Sequence, residues 1–245
     1  MSLPDGMGGG DEPGRPPLTL RIEAVRRLLW TLLVLVSALG LLAELVHHLW
    51  MPSSLADVVP LFSLSEEGNI PTWYSSALLL TCGLVLLLIA SAATQARARH
   101  RGHWWFLALA FLYISMDETV TLHERLNDLI PLSGIFYFSW VIPVGIAVAV
   151  MGLAYIPFLR GLPARTRRQF LVAGVIYVGG ALVTELPLGY WSVRVGEDNL
   201  GYSLIDFVEE TLEFTGVTLF LLALLEYAHD HHGVIRLERG RGQPR

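Results

Sequence analysis

Apolar residues in this chain gather into six long blocks, roughly 27–50, 71–95, 103–126, 135–159, 169–190 and 201–228. A soluble domain spreads its apolar positions in stripes of period 2 or 3.6 instead. About 20 apolar residues carry a helix across hydrocarbon about 30 Å thick. Backbone exposed to lipid must satisfy its own hydrogen bonds, which favours helices. The pattern therefore predicts an all-α polytopic membrane protein with six transmembrane helices over residues 21–232. A Gly/Pro-rich disordered tail is expected at 1–20 and a basic tail at 233–245. Pro143 and Pro187 are expected to kink or terminate spans four and five. Between spans one and two, MPSSLADVVPLFSLSEEGN (51–69) has an apolar centre and reads as a lid lying on the membrane. Residues 188–202 form a second outer segment, rich in glycine and aromatics.

Charge placement orients this bundle. All 17 basic residues are arginines, and only Arg125 and Arg194 fall outside the two tails and the second and fourth connections. Short connections rich in arginine stay in the cytoplasm, so both termini are expected there. The first block is too long for a signal-peptide core and reads as a retained anchor. Composition agrees, at 53% hydrophobic residues and a mean hydropathy of +0.52. The single cysteine, Cys82, excludes an intrachain disulfide or a CxxC metal site. No phosphate loop, Ser/His/Asp arrangement or nucleic-acid patch is present, and the histidines of HDHH (229–232) read as a solvated helix end.

The acids break this apolar background at one depth. Glu44 follows Arg27, Asp117 follows Arg101, Glu185 follows Arg168 and Glu213 precedes His229, each by 16 or 17 residues. At the helical rise that is about 24–26 Å from the cytoplasmic flank, near the extracytoplasmic face. Glu118 shares this layer, and one turn further out come His47, His48, His123, Glu124, Asp206, Glu209 and Glu210. Asp117, Thr121 and Glu124 would form one stripe of a continuous helix, as would Asp206, Glu210 and Glu213. Glu44 and His47, three apart, can point to one place. Arg125 is the one base near this depth. Carboxylates crowded in low dielectric must take up protons or share a cation, and ionisable groups in a membrane mark function.

A carboxylate-rich set with a few imidazoles suits iron(II) or manganese. The expected ligands of one or two divalent ions are Glu44, His47, Asp117, Glu118, His123, Glu124, Glu185, Glu210 and Glu213, with Asp206 as an alternate. Glu44-Leu45-Val46-His47 partially resembles the Glu-x-x-His of ferritin-like carboxylate-bridged metal sites, although span six carries Glu210-x-x-Glu213 with no histidine. The segment SMDETVTLHERL (115–126) resembles one in uncharacterised bacterial six-span membrane proteins sharing D-E-x4-H-E, which brings no known activity. The expected setting is a bacterial plasma membrane, with the lipid bilayer as partner and a lipid, isoprenoid or quinone as substrate. Metal-dependent oxidation or hydrolysis is the enzymatic reading, with no catalytic residue assigned. Proton- or cation-coupled transport is the alternative. An accessory subunit pairing its acids with a membrane-protein partner is the third reading.

Overall fold

The computed structural model describes residues 19–232 and 236–238. Its long helices are α1 (Ile22–Leu49), α2 (Ile70–Gln95), α3 (Arg101–Val120), α5 (Val141–Gly161), α6 (Ala164–Val178), α7 (Glu185–Val195) and α8 (Leu200–His232). A short α4 (Arg125–Leu129) lies between α3 and α5. Beyond these helices and a few single turns, β1 (Thr19–Arg21) pairs in parallel with β2 (Arg236–Glu238). Of the expected tails, 1–18, 233–235 and 239–245 lie outside the described residues.

Among the described residues, α1, α2, α5 and the run Ala164–Val195 are each long and apolar enough to cross a membrane. They carry exposed bands such as Val34, Leu35 and Leu42 on α1 and Ile146, Val150 and Leu153 on α5. Water does not tolerate apolar surface on that scale, and lipid covers it. This is a membrane protein. The other two expected spans carry acids in the last turns of α3 and the N-terminal half of α8.

Packing centres on α8. From Phe214 to Ala228 nearly every turn is buried, and α8 lies against α1, α2 and α6. Small residues set the close crossings, as is usual between membrane helices. A Cβ on Gly216 would sit 2.7 Å from the backbone nitrogen of Tyr177, so α6 and α8 touch nearly backbone to backbone there. Aromatic rings fill the middle and the end of the bundle at the α8 C-terminus: Phe220 lies 4.9 Å from Phe111 and 4.8 Å from Phe170, and Trp104 is 4.9 Å from Tyr227. Also at that end, Glu226 accepts from Arg26 (3.0 Å), Arg165 (2.8 Å) and Gln169 (3.1 Å).

Of two expectations about helix continuity, one is corrected and one is met. The third span was expected to run to residue 126, but α3 stops at Val120 because Thr121 turns left-handed, at φ 53°. Asp, Thr and Val are weak helix formers, and DETVT concentrates them. The stripe of Asp117, Thr121 and Glu124 therefore does not exist as one helical face. The fifth span is interrupted as Pro187 leads one to expect, and the device is a π turn at Gly179–Val183. Proline cannot donate to the carbonyl four residues back and crowds it, and a wider turn relieves both. Pro143 falls in the first turn of α5, where the missing N–H has no helical partner to lose.

Candidate metal centre

One end of the bundle collects the C-terminal end of α3, the first turns of α5 and α8, and the π turn with the start of α7. They surround a cavity of about 400 Å³. Asp117, Glu118 and Glu124 reach it from α3 and the turn after it, and Glu185 from the first residue of α7. Asp206, Glu209, Glu210 and Glu213 come from α8, where i, i+3, i+4 and i+7 spacing stacks them on one face. The lid adds Glu66 and Glu67. Among the described residues, ten carboxyl groups thus line one cavity with His123 as its imidazole, and no arginine lines it. Arg125, the base expected nearby, is exposed on α4.

Local chain geometry explains several of these placements. The left-handed Thr121 folds the chain back, bringing His123 Nδ1 to 2.7 Å from Asp117 Oδ2. The His123 ring lies 4.7 Å from that of Trp140, whose indole N–H donates to Glu185 Oε1 at 3.1 Å. Gly180 lets the π turn approach the acidic face of α8, since a Cβ there would lie 3.0 Å from the Glu209 carbonyl oxygen and 3.1 Å from Glu213 Cγ. Thr184 turns its hydroxyl back onto the Gly180 carbonyl.

Three carboxylate oxygens, Glu185 Oε2, Asp206 Oδ2 and Glu209 Oε2, are buried with no hydrogen-bond partner. A buried acceptor left unmade costs about 1–3 kcal/mol, and more when charged. On the lid, burial first and then the neighbouring Glu124 push the Glu67 carboxyl up to about 8. The lining is also apolar in part, with Ile114, Leu122, Val144, Val148 and Leu182, so the site offers both oxygen donors and hydrocarbon.

Glu44 and His47 do not join this cavity, contrary to the expectation of one shared ligand set. They line a second cavity of about 390 Å³ together with His48, Asp198 and Ser203. The cause is the lid. Gly40 leaves room for the Leu64 side chain on α1, since a Cβ there would lie 2.5 Å from Leu64 Cγ. Residues 63–65 then deliver three donors to Glu44 Oε1: the Ser63 hydroxyl (2.5 Å), the Leu64 N–H (3.1 Å) and the Ser65 N–H (3.4 Å). The expected pairing of Glu44 with His47 gives way to His48, whose Nε2 is 3.8 Å from Glu44 Oε2. His47 turns to Asp198, at 3.6 Å.

Sequence reasoning did not single out Glu66, Glu67, Trp140, Tyr177 or Tyr202, all of which line the acidic cavity. The signal for the first two was the acidic pair just before Asn69. That side chain caps α2 by accepting from the Thr72 N–H and ties the lid down by donating to the carbonyls of Pro60, Ser63 and Glu66.

The chain belongs to a family described as a domain of unknown function, DUF8692, whose model matches residues 27–228. The matched stretch contains every acid of the cavity. No curated protein and no solved structure matches the chain.

Proposed function

We propose that this member of the DUF8692 family is a six-span protein of a bacterial plasma membrane with cytoplasmic termini. In this reading it binds one or two divalent metal ions, iron or manganese, in the acidic cavity near the extracytoplasmic face. The observation that carries the reading is ten carboxyl groups around one cavity without an arginine, three of them with a buried oxygen lacking any partner. A divalent ion supplies the charge that the lining withholds, and oxygen-rich donors with one imidazole match the hard ions.

Six crossings follow if α3 and α8 span as well. Their lengths, 20 and 33 residues, suffice, and their acids face the cavity instead of lipid. The apolar lining at Val144 and Val148 supports a substrate with a hydrocarbon chain, such as a lipid, isoprenoid or quinone, lying beside the metal. Transport of protons or cations through the same acids is the competing reading. The aromatic packing of Phe111, Phe170 and Phe220 beneath the cavity favours a site reached from one side.

Elemental analysis of detergent-purified protein tests the proposal, with Asp206→Asn and Glu213→Gln measured alongside. Stoichiometric iron or manganese, lost in both variants while they remain monodisperse, supports it. Metal-free wild-type protein that drives cation-coupled uptake in liposomes selects transport instead.

A further inference from the structure

We infer a second metal site, separate from the acidic cavity and of different chemistry, formed by His47, His48 and Asp198 with Glu44 as the fourth donor. One ligand atom from each of His47, His48 and Asp198 lies within 4.8 Å of the others. His47 Nε2 is 3.6 Å from Asp198 Oδ1, and His48 Nε2 is 3.8 Å from Glu44 Oε2. Tetrahedral zinc with bonds of about 2.0–2.1 Å holds its donors roughly 3.3 Å apart. The three grouped donors must close by up to about 1.5 Å to reach that spacing, and Glu44 Oε2, outside the group, must swing in from beside His48. Two imidazoles and two carboxylates suit zinc better than the all-carboxylate chemistry of the other cavity, and the two carboxylates neutralise the ion.

The elements are placed for such a clamp. His47 and His48 close the last turn of α1, and their rings meet edge-on at 4.6 Å. Asp198 comes from the connection between α7 and α8, so an ion here ties that connection to α1. His48 Nε2 is 3.0 Å from the Ser203 hydroxyl. On ligation that bond is released, and the hydroxyl is free to hold a metal-bound water.

Glu44 gives the site its consequence. Oε1 is committed to the three lid donors, while Oε2 faces His48. A zinc ion on Oε2 fixes the carboxylate in the orientation that holds residues 63–65, the part of the lid that precedes Glu66 and Glu67. Occupancy of the outer site therefore stabilises the closed lid over the acidic cavity.

The test uses the full chain in detergent, with zinc chloride titrated by calorimetry and lid exchange followed by hydrogen–deuterium mass spectrometry. The Asp206→Asn/Glu213→Gln variant should bind one zinc ion, wild type should bind that ion with like affinity in addition to any held by the acidic cavity, and both should show slower exchange over residues 60–69. His47→Ala, an exposed position, should weaken that binding at least tenfold and abolish the slowing. His48→Gln preserves a partner for Ser203 and should do the same. Equal zinc affinity in wild type and both histidine variants overturns the inference, as does zinc binding lost only in the Asp206/Glu213 variant. The second outcome leaves the acidic-cavity reading standing.

Discussion

Replacing Glu44 by alanine should open the lid without unfolding the bundle. The substitution removes the acceptor for three donors, two of which, the Ser63 hydroxyl and the Leu64 N–H, belong to buried residues. Each buried donor left unmade costs about 1–3 kcal/mol. The Ser65 N–H is on an exposed residue and rehydrates, so it adds little. The closed lid should lose about 2–6 kcal/mol, which at 1.4 kcal/mol per decade is about 30- to 20,000-fold in the opening equilibrium. Helix α1 itself should hold, because its other buried positions, Leu29, Leu33 and Ala43 among them, are untouched. Amide exchange at Leu64 and Ser65 reads the effect directly, with the amides of α2 as the internal reference. Glu44→Gln keeps an oxygen acceptor and should recover part of the protection. If Glu44→Ala leaves those two amides as protected as in wild type, the carboxylate does not hold the lid and the reasoning fails.

The lid should also respond to pH. Glu67 titrates near 8 when the lid is closed and near the ordinary 4.5 when it is free, so the closed state binds the extra proton between those values. Protection of residues 66–68, corrected for intrinsic exchange, should be full below about 4.5 and fall as pH rises to about 8. Glu67→Gln should flatten that profile; an unchanged slope would mean that Glu67 is not the group whose titration opens the lid. At the crossing of α6 and α8, Gly216→Ala puts a Cβ 2.7 Å from Tyr177 backbone and should cost about 1–3 kcal/mol. That appears as a lower thermal midpoint in detergent, and an unaltered midpoint would show that the helices part freely.

Distance along a helix was legible in the sequence because the rise per residue is fixed by the backbone. Counting from the arginine flanks, and from His229 on the last span, put Asp117, Glu118, Glu185 and Glu213 at one level, and these four do line one cavity. What the count could not carry was anything decided by a turn or by tertiary insertion. His123 sits well round a continuous helix from Asp117, yet one left-handed residue at Thr121 brings them to 2.7 Å. Glu44 has the right depth, but Leu64 packing over Gly40 puts lid backbone on its carboxylate. Glu66 and Glu67 lie outside every apolar block, so a search confined to spans passed over them.

Helix α8 supplies its own control for how this protein treats a buried acid. Glu226 and Glu209 are almost equally hidden, 8% and 7% exposed. Near the C-terminus of α8 Glu226 is given two arginines and a glutamine. In the N-terminal half Glu209 keeps an oxygen with no partner, beside three more acids on the same face. Removing one partner from a buried ion pair is strongly destabilising, so an acid needed only for architecture gains by having its bases built in, as Glu226 does. Withholding them at Glu185, Asp206 and Glu209 together leaves a destabilising arrangement that hydrophobic residues of the same volume would relieve. An unfavourable cluster of this kind is relieved by protons or by positive charge from outside the chain, which is the physical basis of the proposed cation.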